Sequence, residues 1–306
     1  MGVRKTRWFL DGSDSQIFWI SLSVVAALFQ ASRNAVMKRL GHELDEYINV
    51  FGRFFFLLPF AGVAVLWNGV PEIRPDFYWA CILFGFSQTT ATLLLSKALL
   101  HGNISMVVPI WRTSLIWLVL VSFFTLGEAP TAIGLAGIGI TIAGVYLLNI
   151  SRAKISLWEP FRVLVRDRGQ RYALLSAIMY APSVVTFKWA ILASDVPFAT
   201  FGSYVAATLC VLPIALWNSS HHFAQIPRLW KSFVSLGLFA VMTNLTQGEA
   251  YRVQLSSYVE ALKQTEILFA LAMGYVLFGE REGFREIVTG AAVILVGVVV
   301  LVLFVG

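Results

Sequence analysis

Charge is what this sequence has least of. Asp, Glu, Lys and Arg make up 13% of its 306 residues, whereas the apolar set Ala, Val, Ile, Leu, Met, Phe, Trp, Tyr and Cys makes up 58%. A soluble domain carries about a quarter charged residues. No soluble core hides this much apolar surface, but a bilayer does. Cysteine is nearly absent. Cys81 and Cys210 each sit inside an apolar segment, so there is no disulfide framework and no zinc spacing, and both read as small buried hydrophobes. Histidine is also sparse: His42 and His101 fall in connections and His221-His222 are adjacent rather than helically spaced, which argues against a metal centre. No Gly-x-x-x-x-Gly-Lys-Ser/Thr loop occurs, so ATP is not a direct driver. No nucleophile, base and acid converge in sequence, which argues against an enzyme. The net charge of +6 is not gathered into a basic patch interleaved with aromatics, so nucleic acid is not the partner. A positive surplus is ordinary in the loops of membrane proteins.

What the sequence has in quantity is long apolar runs. A spanning helix needs about 20 mostly apolar residues. Ten runs qualify: Ile17–Lys38, Tyr47–Trp67, Phe77–Leu99, Ile104–Leu126, Ala132–Ile150, Tyr172–Ala193, Pro197–Trp217, Trp230–Arg252, Leu255–Phe278 and Phe284–Val305. The first is too long for a cleaved signal peptide and no small-residue cleavage site follows it. Short connections carry turn chemistry, as in His101-Gly102-Asn103, Gly127-Glu128-Ala129-Pro130 and Gly279-Glu280-Arg281. Trp19, Trp67, Trp79, Trp217 and Trp230 lie near the expected ends and read as interface anchors.

The chain repeats itself at a spacing of 150 to 153 residues. Phe51-Gly52 recurs as Phe201-Gly202, Trp67-Asn68 as Trp217-Asn218, Lys38 as Lys188, Gly127-Glu128 as Gly279-Glu280, and Gly144 as Gly297. Five spans per copy is an odd number, so the second copy enters the membrane from the opposite side. The fold class expected is therefore all-α and integral to the membrane: ten transmembrane helices as two inverted five-helix repeats. Its parts are an N-terminal tail (1–16), a first repeat (17–150), a basic linker (151–171) and a second repeat (172–306). Inverted repeats of this kind recur in secondary transporters, with the substrate site near mid-membrane between the halves. Loop charges favour placing the linker face, with its run from Arg152 to Arg171, in the cytoplasm. Leu157–Val165, with Trp158, Phe161 and Leu164 on one side, is either an interfacial helix or a solvated part of the linker.

The stretches Phe123–Thr131 and Gly274–Arg281, together with glycine-rich fifth and tenth spans (Gly134, Gly137, Gly139, Gly144; Gly290, Gly297), resemble EamA repeats of the drug/metabolite transporter superfamily. The resemblance covers about Gln16 to Val305. It implies an exporter or exchanger in the bacterial inner membrane, with a cavity enclosed by the first four helices of each half. It also implies that the fifth and tenth helices are peripheral, where they serve as a pairing surface if the protein is a homodimer rather than a monomer. It further implies cytoplasmic termini, against the loop charges.

Ionisable groups in the hydrocarbon region cost about 2.5–3.5 kcal/mol each on insertion scales, so those present mark a polar cavity or each other. Arg112 stands mid-span, three residues after Pro109, beside Trp111, Thr113 and Ser114. It either forks onto a substrate carboxylate or phosphate or pairs with an acid to lock helices. Glu260, Lys263, Gln264 and Glu266 occupy the ninth span, and the repeat puts Lys263-Gln264 at the positions of Trp111-Arg112. That cluster is either half of a central site or a self-satisfied Glu–Lys–Glu ladder. Arg33, Asn34, Arg53, Lys188, Tyr204 and Gln247 complete the candidate substrate-binding set. Across the spans Arg33, Arg53, Arg112, Lys188 and Lys263 outnumber Glu249, Glu260 and Glu266, which favours an anionic or zwitterionic small-molecule metabolite such as an amino acid. Phosphate-bearing cargo, such as a nucleotide sugar or a lipid-linked sugar, is the alternative. The first span has no acidic residue. The related small multidrug resistance proteins use a glutamate there to trade protons for cations, so cationic-drug antiport is disfavoured. Proton coupling would fall to Glu260 or Glu266. No cofactor and no metal is expected.

Overall fold

The computed structural model describes residues 12–40, 44–102, 104–153, 158, 167–278 and 284–304. The Gly279-Glu280 turn, Arg4, Lys5 and Arg7 of the tail, and all of Leu157–Val165 except Trp158 lie outside the described residues. What is described is helical, with no strand. The first repeat comprises α1 (Gly12–Leu40), α2 (Glu46–Phe55), α3 (Leu58–Asn68), α4 (Phe77–His101), α5 (Ile104–Trp111), α6 (Ser114–Leu126) and α7 (Ala132–Ala153). The second comprises α8 (Arg168–Leu192), α9 (Val196–Ser219), α10 (Trp230–Val253), α11 (Ser256–Leu262), α12 (Glu266–Phe278) and α13 (Phe284–Phe304).

Local sequence explains where these helices begin and end. Asp45 and Asp195 cap α2 and α9 by accepting from the backbone N–H groups of Ile48 and Phe198 (3.0 and 2.8 Å). Gly127, at φ +67°, ends α6 in the left-handed conformation and sets the Gly-Glu turn. Three expected single spans are each two helices. The second breaks at Phe56-Leu57, just before Pro59 near the start of α3. The fourth breaks at Arg112-Thr113, past Pro109. The ninth breaks in a 3-10 turn over Lys263–Thr265, with no proline to cause it.

All ten expected spans coincide with helix. Six are long and apolar enough to cross a membrane by length and composition, and Ala132–Leu148 and Thr289–Phe304 are shorter apolar helices. The two that do not register, α10 and α11–α12, carry Asn244, Gln247, Glu260, Lys263 and Glu266, all buried. Their polarity faces the interior and dilutes their average hydropathy. Apolar side chains such as Leu66, Phe86, Phe124 and Leu209 are exposed on the outside, as lipid contact requires. Trp67 and Trp217 are 92% and 90% exposed, and Trp79 and Trp230 are also exposed. Trp19 is the exception: it is 2% exposed and belongs to the core, not the interface.

Packing follows the repeat. The third span of each half lies along the first span of the other, α4 on α8 and α10 on α1. The fifth and tenth, α7 and α13, pack on each other. Each contact maps onto its partner when the repeats are exchanged. The seam between α7 and α13 shows why glycine is needed there. A Cβ on Gly144 would stand 2.5 Å from the backbone nitrogen of Ile294, and one on Gly290 or Gly297 would strike Leu148 or Thr141. Bare backbone lets the helices close, which is how helices gain dispersion energy in lipid.

Candidate functional site

The two repeat-related breaks meet at the centre of the bundle. Because α5 stops at Trp111 and α11 at Leu262, Arg112 and the turn Lys263–Thr265 leave their helices at matching heights and face each other. Arg112 donates from Nη1 to Gln264 Oε1 (2.5 Å) and from Nη2 to Glu266 Oε1 (2.7 Å), so one guanidinium clasps the opposite repeat. Its guanidinium carbon lies 4.8 Å from the Trp111 ring centroid. Gln30 of α1 donates to the other oxygen of Glu266. Lys263 donates to Glu260 Oε1 (2.5 Å) and Gln247 Oε1 (2.6 Å). Tyr251 and Tyr180 donate to the same Glu260 carboxylate (2.5 and 3.2 Å). The expected Glu–Lys–Glu ladder is thus split: Lys263 keeps Glu260, while Glu266 turns to Arg112.

These groups border a cavity of about 550 Å³, within the usual range for small-molecule sites. Of the sequence candidates, Arg33, Asn34, Arg53, Trp111, Arg112, Tyr204, Gln247, Lys263 and Glu266 line it. Gln264 and Glu260 stand behind the wall and hold Arg112 and Lys263 in place. Thr113 donates to the backbone oxygen of Ile110 (2.7 Å) and does not line the cavity. Glu249 is not a cavity charge either; it pairs with Arg252 (3.1 Å) at the partly exposed end of α10.

Lys188 does other work. Its Nζ sits 2.6 Å from Glu128 and donates to the backbone oxygen of Gln254 (2.6 Å). Glu128 in turn accepts from Ser256 N (3.0 Å) and Ser256 Oγ (2.6 Å), a carboxylate at the N-terminus of α11. This three-point clasp joins the turn after the fourth span to the sixth and ninth. It lies at the face of the bundle where α1 begins. Phe187, one residue before Lys188, lines the cavity, so the clasp lies just beyond the chamber's lining on that side. Further contacts close the same face. Asn68 bonds Asp195 (2.7 Å), and the Trp189 indole donates to Asp76 (2.6 Å). With Arg74 beside it, that indole holds the Asp76 carboxyl below the usual carboxylate range. Toward the opposite face the lining runs out through Met37, Ser96 and the exposed Leu99.

Sequence reasoning missed Glu128 as a partner, and also Gln30, Tyr180, Ser183 and Asn244. A signal for the clasp existed: Glu128 and Lys188 each have an identical residue at the repeat spacing, Glu280 and Lys38. Tyr180 and Asn244 had none, because an amide or phenol in an apolar run reads equally as packing.

The EamA-like transporter family model matches residues 17–150 and 168–303. The chain belongs to this family: it is an integral, multi-pass membrane protein of two EamA repeats, and the family is one of transporters. One similar solved structure, described only as the crystal structure of a protein, superposes with a TM-score of 0.71 at 17% identity. It covers 92% of this chain and 95% of that chain, and so shares the fold. No curated protein matches the sequence.

Proposed function

We propose that this chain is a secondary-active transporter that exports or exchanges a small anionic or zwitterionic metabolite by alternating access through the central cavity. The membrane in question is a bacterial inner membrane, as the family resemblance implies. One observation carries the reading. The cavity forms where two broken, symmetry-related helices meet, and cations outnumber acids around it. Broken helices at mid-membrane are a recurrent device for presenting polar groups to a solute. The cavity reaches one face, and the Glu128–Lys188–Ser256 clasp closes the other. Turnover requires that clasp to part. A solute with an anionic head suits a lining in which Arg33, Arg53, Arg112 and Lys263 outnumber Glu266. Pairing of two chains through the fifth and tenth spans would use outer residues such as Leu295, Val299 and Leu303, because the glycine faces meet within one chain.

The test is a thermal-shift screen of the purified protein against amino acids, nucleotides and sugar phosphates, followed by flux in proteoliposomes. Anionic or zwitterionic hits whose shifts fall in Arg112→Ala and Lys263→Ala support the reading. Stabilisation by cationic drugs alone contradicts it. Proton coupling through Glu260 or Glu266 fails if flux ignores a proton gradient and persists in both Glu→Gln variants.

A further inference from the structure

Four cations point toward the cavity, and they fall into two kinds. Arg112 and Lys263 are already neutralised, by Glu266 at 2.7 Å and Glu260 at 2.5 Å. Arg33 and Arg53 are not. Among the described residues neither has an acid within ion-pair distance. Arg33 uses one donor on its neighbour Asn34 (3.2 Å). The Nε atoms of both arginines are buried with no acceptor. Arg33 is only 7% exposed, and both arginines line the same cavity. A buried, unpaired cation is costly and persists where something else supplies the counter-charge.

We infer that Arg33 and Arg53 form an anion subsite for a small dianion whose two negative charges lie close enough to meet both guanidiniums, a phosphate monoester or a short dicarboxylate. On this view Arg112 and Lys263 are buttresses of the wall rather than the solute's charge partners. The inference rests on the transporter reading above and narrows its cargo. A monoanion neutralises one of the two guanidiniums and leaves the other without a counter-charge. A dianion satisfies both, and its several oxygens suit two planar forks. The remainder of the chamber fits a polar body on such a head. Gln88, Thr92, Ser96 and Asn244 offer amides and hydroxyls, above a floor of Phe84 and Phe187.

The experiment uses full-length protein in proteoliposomes and in detergent. The probes are glucose 6-phosphate, succinate and serine, with binding read by calorimetry and flux by counterflow. Glucose 6-phosphate or succinate, whichever source is right, is expected to bind at least tenfold tighter than serine. Arg33→Gln and Arg53→Gln are each expected to weaken that dianion tenfold or more. Arg33→Lys, which keeps the charge and loses the fork, falls between. A phosphate monoester gains its second proton near pH 6. Its binding therefore weakens as pH falls from about 7.5 to about 5.5, whereas that of inorganic sulfate does not. If serine binds as tightly as either dianion and both Gln variants leave dianion binding intact, the subsite is wrong, although the transporter reading survives. If no anion binds or moves, the transporter reading itself falls.

Discussion

Replacing Lys188 by methionine isolates the closing clasp. The Lys188 and Glu128 side chains are 9% and 5% exposed and 2.6 Å apart. Methionine keeps most of the volume but leaves the Glu128 carboxylate buried with only its Ser256 donors. Breaking a buried pair by removing one partner costs about 3–5 kcal/mol. In the proposed transport cycle the cost falls on the state in which this face is shut, where the two residues meet. At about 1.4 kcal/mol per tenfold change, the balance between shut and open moves by roughly two to three and a half powers of ten. The assay is labelling of Ser257→Cys by a membrane-impermeant thiol reagent, in a Cys81→Ala/Cys210→Ala background. Ser257 is fully buried next to the clasp, so the reference protein labels slowly and the Lys188→Met variant is expected to label at least a hundredfold faster. Adding Glu128→Gln removes the stranded charge and is expected to return much of the difference, a coupling that a double-mutant cycle reads directly. A large fall in thermal stability with unchanged labelling, and no recovery in the double variant, refutes the reasoning and makes the pair a static strut.

Other consequences follow from the geometry. Arg112→Lys keeps the charge but cannot reach Gln264 and Glu266 as a fork; it is expected to lower the melting temperature of the empty protein and to loosen the contact between repeats, measured by limited proteolysis. Gly144→Leu forces a side chain into Ile294 and is expected to destabilise the folded protein by about 1–3 kcal/mol or more, read as loss of monodisperse protein on heating, while solute affinity of the surviving fraction is unchanged. Tyr204→Phe removes one hydrogen bond to Asn244 and is expected to cost about 1 kcal/mol in thermal stability.

The sequence made the architecture legible because lipid demands long apolar runs and because repetition left a register to read. That register also paired Trp111-Arg112 with Lys263-Gln264, and the structure places both at helix breaks. Pro109 announced the first break. The second was hidden, because the 3-10 turn at Lys263–Thr265 has no breaker of its own and coincides with side-chain bonds to Gln247, Glu260 and Arg112. Charge counting was less faithful. Lys188 and Glu249 sit in apolar stretches yet belong to the clasp and to an exposed helix end. A one-dimensional span has no depth or facing, so sequence could not separate a cavity wall from the seal beneath it. Trp19 failed for the same reason: a tryptophan near a helix end anchors at the interface only if it faces outward.

Alternating access through this cavity requires a chamber that water enters from one face only. Single cysteines at Asn34 and Thr92, both lining the cavity, in the Cys81→Ala/Cys210→Ala background, test it with an impermeant thiol reagent applied to each side of oriented vesicles. Rapid labelling from the linker face, protection by the bound solute, and little labelling from the face where α1 begins are expected. Cysteines that react from neither side, or equally from both without protection, contradict it.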